Sequence, residues 1–323
     1  MTVLTVTLNP AIDQTIALDR LVRGAVHRAH SVRYDAGGKG VNVASCLADW
    51  GVPVAVTGLL GRENAAVFEA LFAAKRIDDR FVRADGVTRT NIKLVDDEET
   101  TDINLPGLTA TPQALDAVTE TATALVRRGD IAILSGSLPL GCAPDHYAQL
   151  IAALGESEMR VILDASGPAL TAALAAPVLP FCIKPNRHEL AAWAGTSLDT
   201  LDDLVAAARQ LHARGVALVI VSMGAEGALF LSDEATLVAG LPAAELASTV
   251  GAGDAMVAGI AAALVEGAGL ERIARLSTAF AVAKIGRAGP HLPDLATVRA
   301  LADEVNIRVL EKITDTEKMG EVR

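Results

Sequence analysis

Aromatic side chains are scarce in this chain, with two Trp, two Tyr and six Phe among 323 residues. The core must therefore be built from Ala, Val, Leu and Ile, and the length suffices for one large α/β domain or two smaller ones. Long apolar runs are also missing. Mean hydropathy is +0.37, yet every candidate run is broken by Gly, Asp, Glu or Arg before the roughly 18 uninterrupted residues that a membrane-spanning helix needs. The opening "MTVLTVTLNP" has neither a basic stretch nor a small-residue cleavage site, so no signal peptide is expected. Cysteines are few. Cys46, Cys142 and Cys182 are widely spaced with no CxxC pair, which fits reduced thiols in a cytoplasmic protein. A basic excess is lacking too: the formal charge of −11 argues against nucleic acid and anionic membranes as partners.

What is present is alternation. "VLTVTL", "VPVAVTGLLG", "DIAILSGSLP", "MRVILDAS", "PFCIKPN" and "LVIVSMG" read as apolar strands that run into turns of Gly, Ser, Pro or Asn. Helical stretches such as "GVNVASCLADWG", closed by Gly51, and "DLVAAARQLHARG" separate them. That pattern predicts a mainly parallel sheet covered by helices on both faces, with ligands bound beyond the carboxyl ends of the strands. Residues 14–36 and 89–105 break the alternation, and "NIKLVDDEETTDINL" reads as two strands around an acidic turn. They are expected to form a small β flap on a single domain spanning 1–310, with 311–323 a polar tail. Five basic residues (Arg20, Arg23, Arg28, Arg33, Lys39) and two histidines stand against one acid between positions 20 and 39. A solvated surface explains any one of them; as a group they suit a small anion.

Two glycine turns lead into apolar helices, "GGKGVNVA" at 37–44 and "STVGAGDAMVAG" at 248–259. Neither matches a standard nucleotide loop. A Walker loop needs Gly where Arg33 stands and Ser or Thr where Gly40 stands, and a dinucleotide fingerprint needs Gly where Met256 stands. Gly251, Ala252 and Gly253 nevertheless expose backbone N–H groups at a helix start, where the helix dipole favours an anion. Asp254 beside them is either a helix cap or a base that takes a proton from a hydroxyl while the cradle neutralises a transferring phosphoryl group. "KPNRHEL" places Asn186 and Glu189 three apart after a strand, a spacing that lets both face a Mg²⁺–phosphate cluster or simply start a helix. A zinc pair with His188 is excluded, because Ala192 occupies the place of the second His.

Taken together, these stretches resemble the PfkB-type carbohydrate kinases of the ribokinase superfamily. "TLNPAID", "GGKGVNVA", "TRTNIKL", "SGSLP", "LDASG", "KPNRHEL", "VSMGAEGA" and "STVGAGDAMVAG" occur in the family's order. The resemblance implies a three-layer α/β/α sandwich with a β-sheet lid that often pairs with a second subunit, so a homodimer is expected. It implies Mg²⁺- and ATP-dependent phosphorylation of a sugar phosphate, fructose 1-phosphate being favoured over tagatose 6-phosphate or fructose 6-phosphate. A non-catalytic sugar-phosphate sensor on the same fold is the alternative of another class. In the implied site Asp254 is the base, and Gly251, Ala252 and Gly253 form the anion hole. Asn186 and Glu189 serve Mg²⁺ and the nucleotide phosphates, and Ser222, Gly224 and Gly227 line the ATP loop. Asp13, Gly38 and Asn42 hold sugar hydroxyls, while Lys39, Arg89, Arg28 and Ser137 meet the phosphate already on the substrate. The chain departs from many family members in carrying Ser248 where they have Asp, which leaves a monovalent-cation site open.

Overall fold

Val3 and Thr5 face one way along the first strand and Leu4 and Val6 the other, and this alternation organises the computed structural model, which describes residues 2–96, 99–155, 159–241, 251–285, 287 and 289–312. Strands β1 (Val3–Thr7), β2 (Ala11–Ala17) and β3 (Ser31–Gly37) lead into α1 (Lys39–Asp49). Then come β4 (Val54–Gly61), α2 (Ala66–Lys75), β5 (Asp78–Asp79), β6 (Val82–Ala84), β7 (Thr90–Val95) and β8 (Thr100–Asn104). The middle of the chain forms α3 (Pro112–Leu125), β9 (Ile131–Ser135), α4 (His146–Gly155), β10 (Arg160–Asp164), α5 (Gly167–Ala175), β11 (Cys182–Ile183), α6 (Arg187–Ala194) and α7 (Leu201–Ala213). The last third forms β12 (Leu218–Ser222), β13 (Ala228–Leu231), β14 (Ala235–Gly240), α8 (Ala252–Val265), α9 (Leu270–Lys284), α10 (Leu295–Glu304) and β15 (Asn306–Lys312).

The central sheet has the order β15-β14-β13-β12-β11-β10-β9-β1-β4-β5, with β6 also on β4. It is parallel from β12 to β5 and antiparallel from β12 to β15. One face buries Val3, Val56, Ile133 and Ile220 against α1, α2, α8, α9 and α10. The other buries Leu4, Val6, Leu134 and Val221 against α3, α4, α5 and α7. Burial on both faces is why these strands read as near-continuous apolar runs. The α/β/α expectation holds.

Two details differ from the sequence pattern. "PFCIKPN" forms a strand only over Cys182–Ile183, with an isolated bridge at Asn186, because the flanking Pro180 and Pro185 have no N–H to give the ladder. The stretches at 14–36 and 89–105 supply a separate sheet with the order β3-β2-β7-β8; β2 already starts at Ala11, ahead of the expected bound, while β7 starts at Thr90, within it. Ser248 and residues 313–323 of the polar tail lie outside the described residues. Among those described, no helix is long and apolar enough to cross a membrane, and the three cysteines are unpaired.

Candidate active site

Both glycine turns cap helices. Gly38 (φ +107°) precedes α1 and Gly251 (φ +81°) precedes α8, a left-handed backbone region that glycine enters without steric cost. A Cβ on Gly40 would stand 2.2 Å from Thr7 Oγ1, so the first turn of α1 can lie directly on the end of β1. The two helices pack together, and Asn42 Nδ2 donates to Asp254 Oδ2 at 2.8 Å.

Asp254 is 8% exposed. The N-cap position belongs to Gly251, with no side-chain cap bond, so the carboxylate is held by Asn42 instead of serving as the cap. Burial, reinforced by the nearby Asp164 carboxylate, pushes its pKa up to about 6, against the Asn42 hydrogen bond and the Lys39 and Lys184 ammoniums. A carboxylate poised there is ionised at neutral pH yet basic enough to accept a proton.

Three charged groups lie beneath it. Asp164, the last residue of β10, is 1% exposed and takes Lys39 Nζ at 3.3 Å and Lys184 Nζ at 3.4 Å. Burial alone would raise the Asp164 pKa, but the Lys184 and Lys39 ammoniums overcome it and hold the carboxyl below its usual range. Burial pulls on Lys39 in the opposite sense, and Asp164, Asp254 and Glu189 together raise its pKa. Lys184 Nζ is 3.6 Å from the point at which a Cβ on Gly253 would stand, so its ammonium sits beside the backbone N–H groups that open α8. The result is an anion cradle: two ammoniums, a helix N-terminus and one buried counter-carboxylate.

Asn186 and Glu189 form a reciprocal capping box at the start of α6. Glu189 N donates to Asn186 Oδ1 at 2.9 Å, and Asn186 N donates to Glu189 Oε2 at 2.8 Å. This leaves Glu189 Oε1 and Asn186 Nδ2 for a ligand. Asn186 also bridges to Ser222 at the end of β12, which brings the Gly224–Gly227 turn alongside. A groove next to that turn is lined by Ala225, Val238, Leu241 and Ile307. For Mg²⁺, the buried Asp164 Oδ1 accepts no hydrogen bond and has only the Lys184 ammonium beside it, at 3.4 Å, and Glu189 has a free oxygen. Among the described residues there is no cluster of three or more metal-ligating side chains. That donor set fits an ion that is bound mainly by phosphates and water with one or two carboxylates.

The smaller sheet supplies a second polar group. Asp13 on β2 accepts from Asn91 Nδ2 at 3.1 Å and pairs with Lys93 Nζ at 3.3 Å, both on β7. Asn91 Oδ1 is buried and unpartnered. Arg89 donates to the carbonyls of Asn9 and Pro10 at 3.3 Å each, and burial lowers its pKa against the pull of Asp13. Asn9 Nδ2 in turn donates to Ser137 Oγ at 3.1 Å. Arg28 is apart from these: it is exposed in the β2–β3 connection, in a groove with Leu18, Asp19 and His27.

Asp164, Lys184, Asn91 and Lys93 were not singled out from the sequence. A signal existed for each. Asp164 and Lys184 are charged residues ending apolar strands, and Asn91 and Lys93 alternate along β7 in step with Arg89 just before it.

Comparison with known proteins gives one consistent result. The family model described as pfkB family carbohydrate kinase matches residues 6–297. A Xanthomonas campestris protein named 1-phosphofructokinase is 56% identical over 87% of this chain and 90% of its own length. A Rhodobacter capsulatus protein of the same name is 49% identical over 96% and 98%. Escherichia coli phosphofructokinase-2, solved in complex with substrates and products, superposes with a TM-score of 0.88 at 29% identity, covering 94% of this chain and 99% of that one.

Proposed function

The chain belongs to the pfkB family of carbohydrate kinases, and we propose that it transfers the γ-phosphoryl group of ATP to the 6-hydroxyl of fructose 1-phosphate. The observation that carries this reading is Asp254, buried at the mouth of α8 with its pKa pushed up to about 6 and oriented by Asn42. The names of the relatives at 56% and 49% identity support fructose 1-phosphate as the acceptor.

Asp254 takes the hydroxyl proton as the sugar oxygen attacks phosphorus. The new O–P bond forms while the bond to the β-phosphate oxygen breaks, and ADP leaves with the electron pair. The Gly251, Ala252 and Gly253 backbone with Lys184 and Lys39 spreads the charge on the moving group. Lys39 is assigned here, and not to the substrate's own phosphate, because that phosphate is at the far end of the sugar from the 6-hydroxyl whereas Lys39 lies in the field of Asp254 and Glu189. Arg89 and Ser137 take the substrate phosphate, and Asp13, Gly38, Asn42 and Asn91 face the sugar hydroxyls. Ser222, Gly224 and Gly227 turn the chain around the nucleotide, and the apolar groove beside them suits the base. Glu189, Asn186 and Asp164 would hold Mg²⁺, which supplies charge neutralisation at the phosphates when bound.

The central sheet with its helices forms one domain, and the β3-β2-β7-β8 sheet is its lid and the surface for a second copy. Arg28, being exposed, reaches a substrate phosphate only if the lid closes or a partner lid presents it. The test is ADP release with Mg·ATP on fructose 1-phosphate, fructose 6-phosphate and tagatose 6-phosphate in parallel. We expect kcat/KM at least about tenfold higher for fructose 1-phosphate, equal to ~1.4 kcal/mol of transition-state preference. Preference for a 6-phosphate overturns the acceptor assignment. Tight binding of one sugar phosphate with no turnover on any favours a sensor.

A further inference from the structure

Lys284 ends α9 and is 6% exposed. Its ammonium donates one hydrogen bond, to the Arg287 backbone carbonyl at 2.7 Å, and no carboxylate among the described residues pairs with it. A lysine carries three N–H donors, so two have no partner among the described residues. Its position is specific: Cε is 3.2 Å and Nζ 3.7 Å from the point at which a Cβ on Gly251 would stand. The ammonium therefore lies beside the residue that opens the anion cradle. Burial lowers its pKa, Lys93 adds to that, and Asp254 and Asp35 oppose it through space. A buried charge without a contact partner is costly, and the offset available to Lys284 is an anion arriving at the N-terminus of α8.

We propose that Lys284 is the resident cation of the phosphoryl-transfer site: fixed beside Gly251 by the Arg287 carbonyl, its ammonium strengthens the Gly251–Gly253 cradle as the phosphoryl group crosses, so turnover needs no monovalent metal ion. The inference rests on the kinase reading. Lys284 acts through the cradle and is a positioning residue, distinct from Lys184, which lies beside Gly253, and from Lys39, which pairs with Asp164.

Two measurements decide it. In the first, wild-type turnover on fructose 1-phosphate is compared in potassium, sodium and tetramethylammonium chloride at equal ionic strength. Rates within about twofold of one another support the proposal, and activation by potassium of about tenfold or more overturns it while leaving the kinase reading intact. Absence of turnover in every salt overturns both. In the second, Lys284→Ala loses about tenfold to a hundredfold in kcat, the scale of one preorganised electrostatic group, with the sugar-phosphate KM little changed. Methylammonium or potassium ions restore much of the loss. The same variant binds an ADP–aluminium fluoride–sugar phosphate complex more weakly by calorimetry, and methylammonium recovers that affinity. A folded Lys284→Ala with wild-type kcat, or with a loss that no added cation recovers, overturns the proposal. The wild-type salt comparison decides it alone if the variant does not fold.

Discussion

The two sheets handle charge in opposite ways. At the carboxyl edge of the central sheet, Asp254 and Asp164 are 8% and 1% exposed, and their neighbours shift them in opposite directions. On the smaller sheet, the Asp13–Lys93 pair has both side chains about one-fifth exposed, at 21% each. Burial makes the first group reactive, because each charge is then set by a few fixed partners instead of by water. Partial exposure suits the second group to the recognition proposed for it, since it presents donors and acceptors that a sugar can exchange for water. On the proposed reading, chemistry is built into the central sheet and recognition into the smaller one.

The largest effect expected to test this division is on rate. Asp254→Asn keeps the Asn42 contact and loses ~10³–10⁴ in kcat, the upper range for a positioned base, with sugar-phosphate binding retained. Next is Asp164→Ala, which leaves two ammoniums without their buried counter-charge; loss of about 3–5 kcal/mol of stability is expected in urea unfolding. Arg89→Ala should raise the sugar-phosphate KM by about tenfold to a hundredfold, as for loss of a charge-assisted contact, with kcat nearly kept. A normal KM removes Arg89 from the phosphate assignment.

Smaller in energy, and opposite in sign to most active-site changes, is the stability of Asp254→Asn. Burial pushes the pKa of the folded carboxyl up to about 6, against 3.8 for a solvated aspartate, so the native state holds its proton more tightly than the unfolded chain. Its ionisation therefore costs stability as pH rises from about 4 to 6, and the cost is complete above that window. The variant should be more stable than wild type at pH 8 by on the order of 2–3 kcal/mol, the gain vanishing near pH 4. The smallest effect is Lys93→Ala on the smaller sheet, where a pair of this kind contributes about 1 kcal/mol or less to stability, while the sugar-phosphate KM rises measurably. A large loss of stability there breaks the contrast between the two sheets.

How far the sequence reached follows from the same physics. The layers were legible, because strands buried on both faces are apolar throughout and the helices between them keep their period. The glycine turns and Asp254 were legible as a charge at the start of an apolar helix. The choice between cap and base was not, since it depends on Asn42, which is 212 positions away. The same holds for Asp164, whose meaning comes from Lys39 and Lys184 on other elements. Asn186 and Glu189 were legible as a pair three apart, but the spacing that suits a metal is also that of the capping box they form. Arg28 stood out through local charge density, a property that says nothing of where an exposed loop lies.

The most direct test of the central claim is the titration of Asp254 itself. A sugar phosphate ionises near pH 6, so the acid limb of a rate profile mixes substrate with enzyme. The carboxyl carbon of Asp254 in free enzyme, followed by ¹³C NMR and assigned by its absence in Asp254→Asn, avoids this. A midpoint near 6 is the predicted result. A midpoint at the ordinary aspartate value, near 4, would contradict the account.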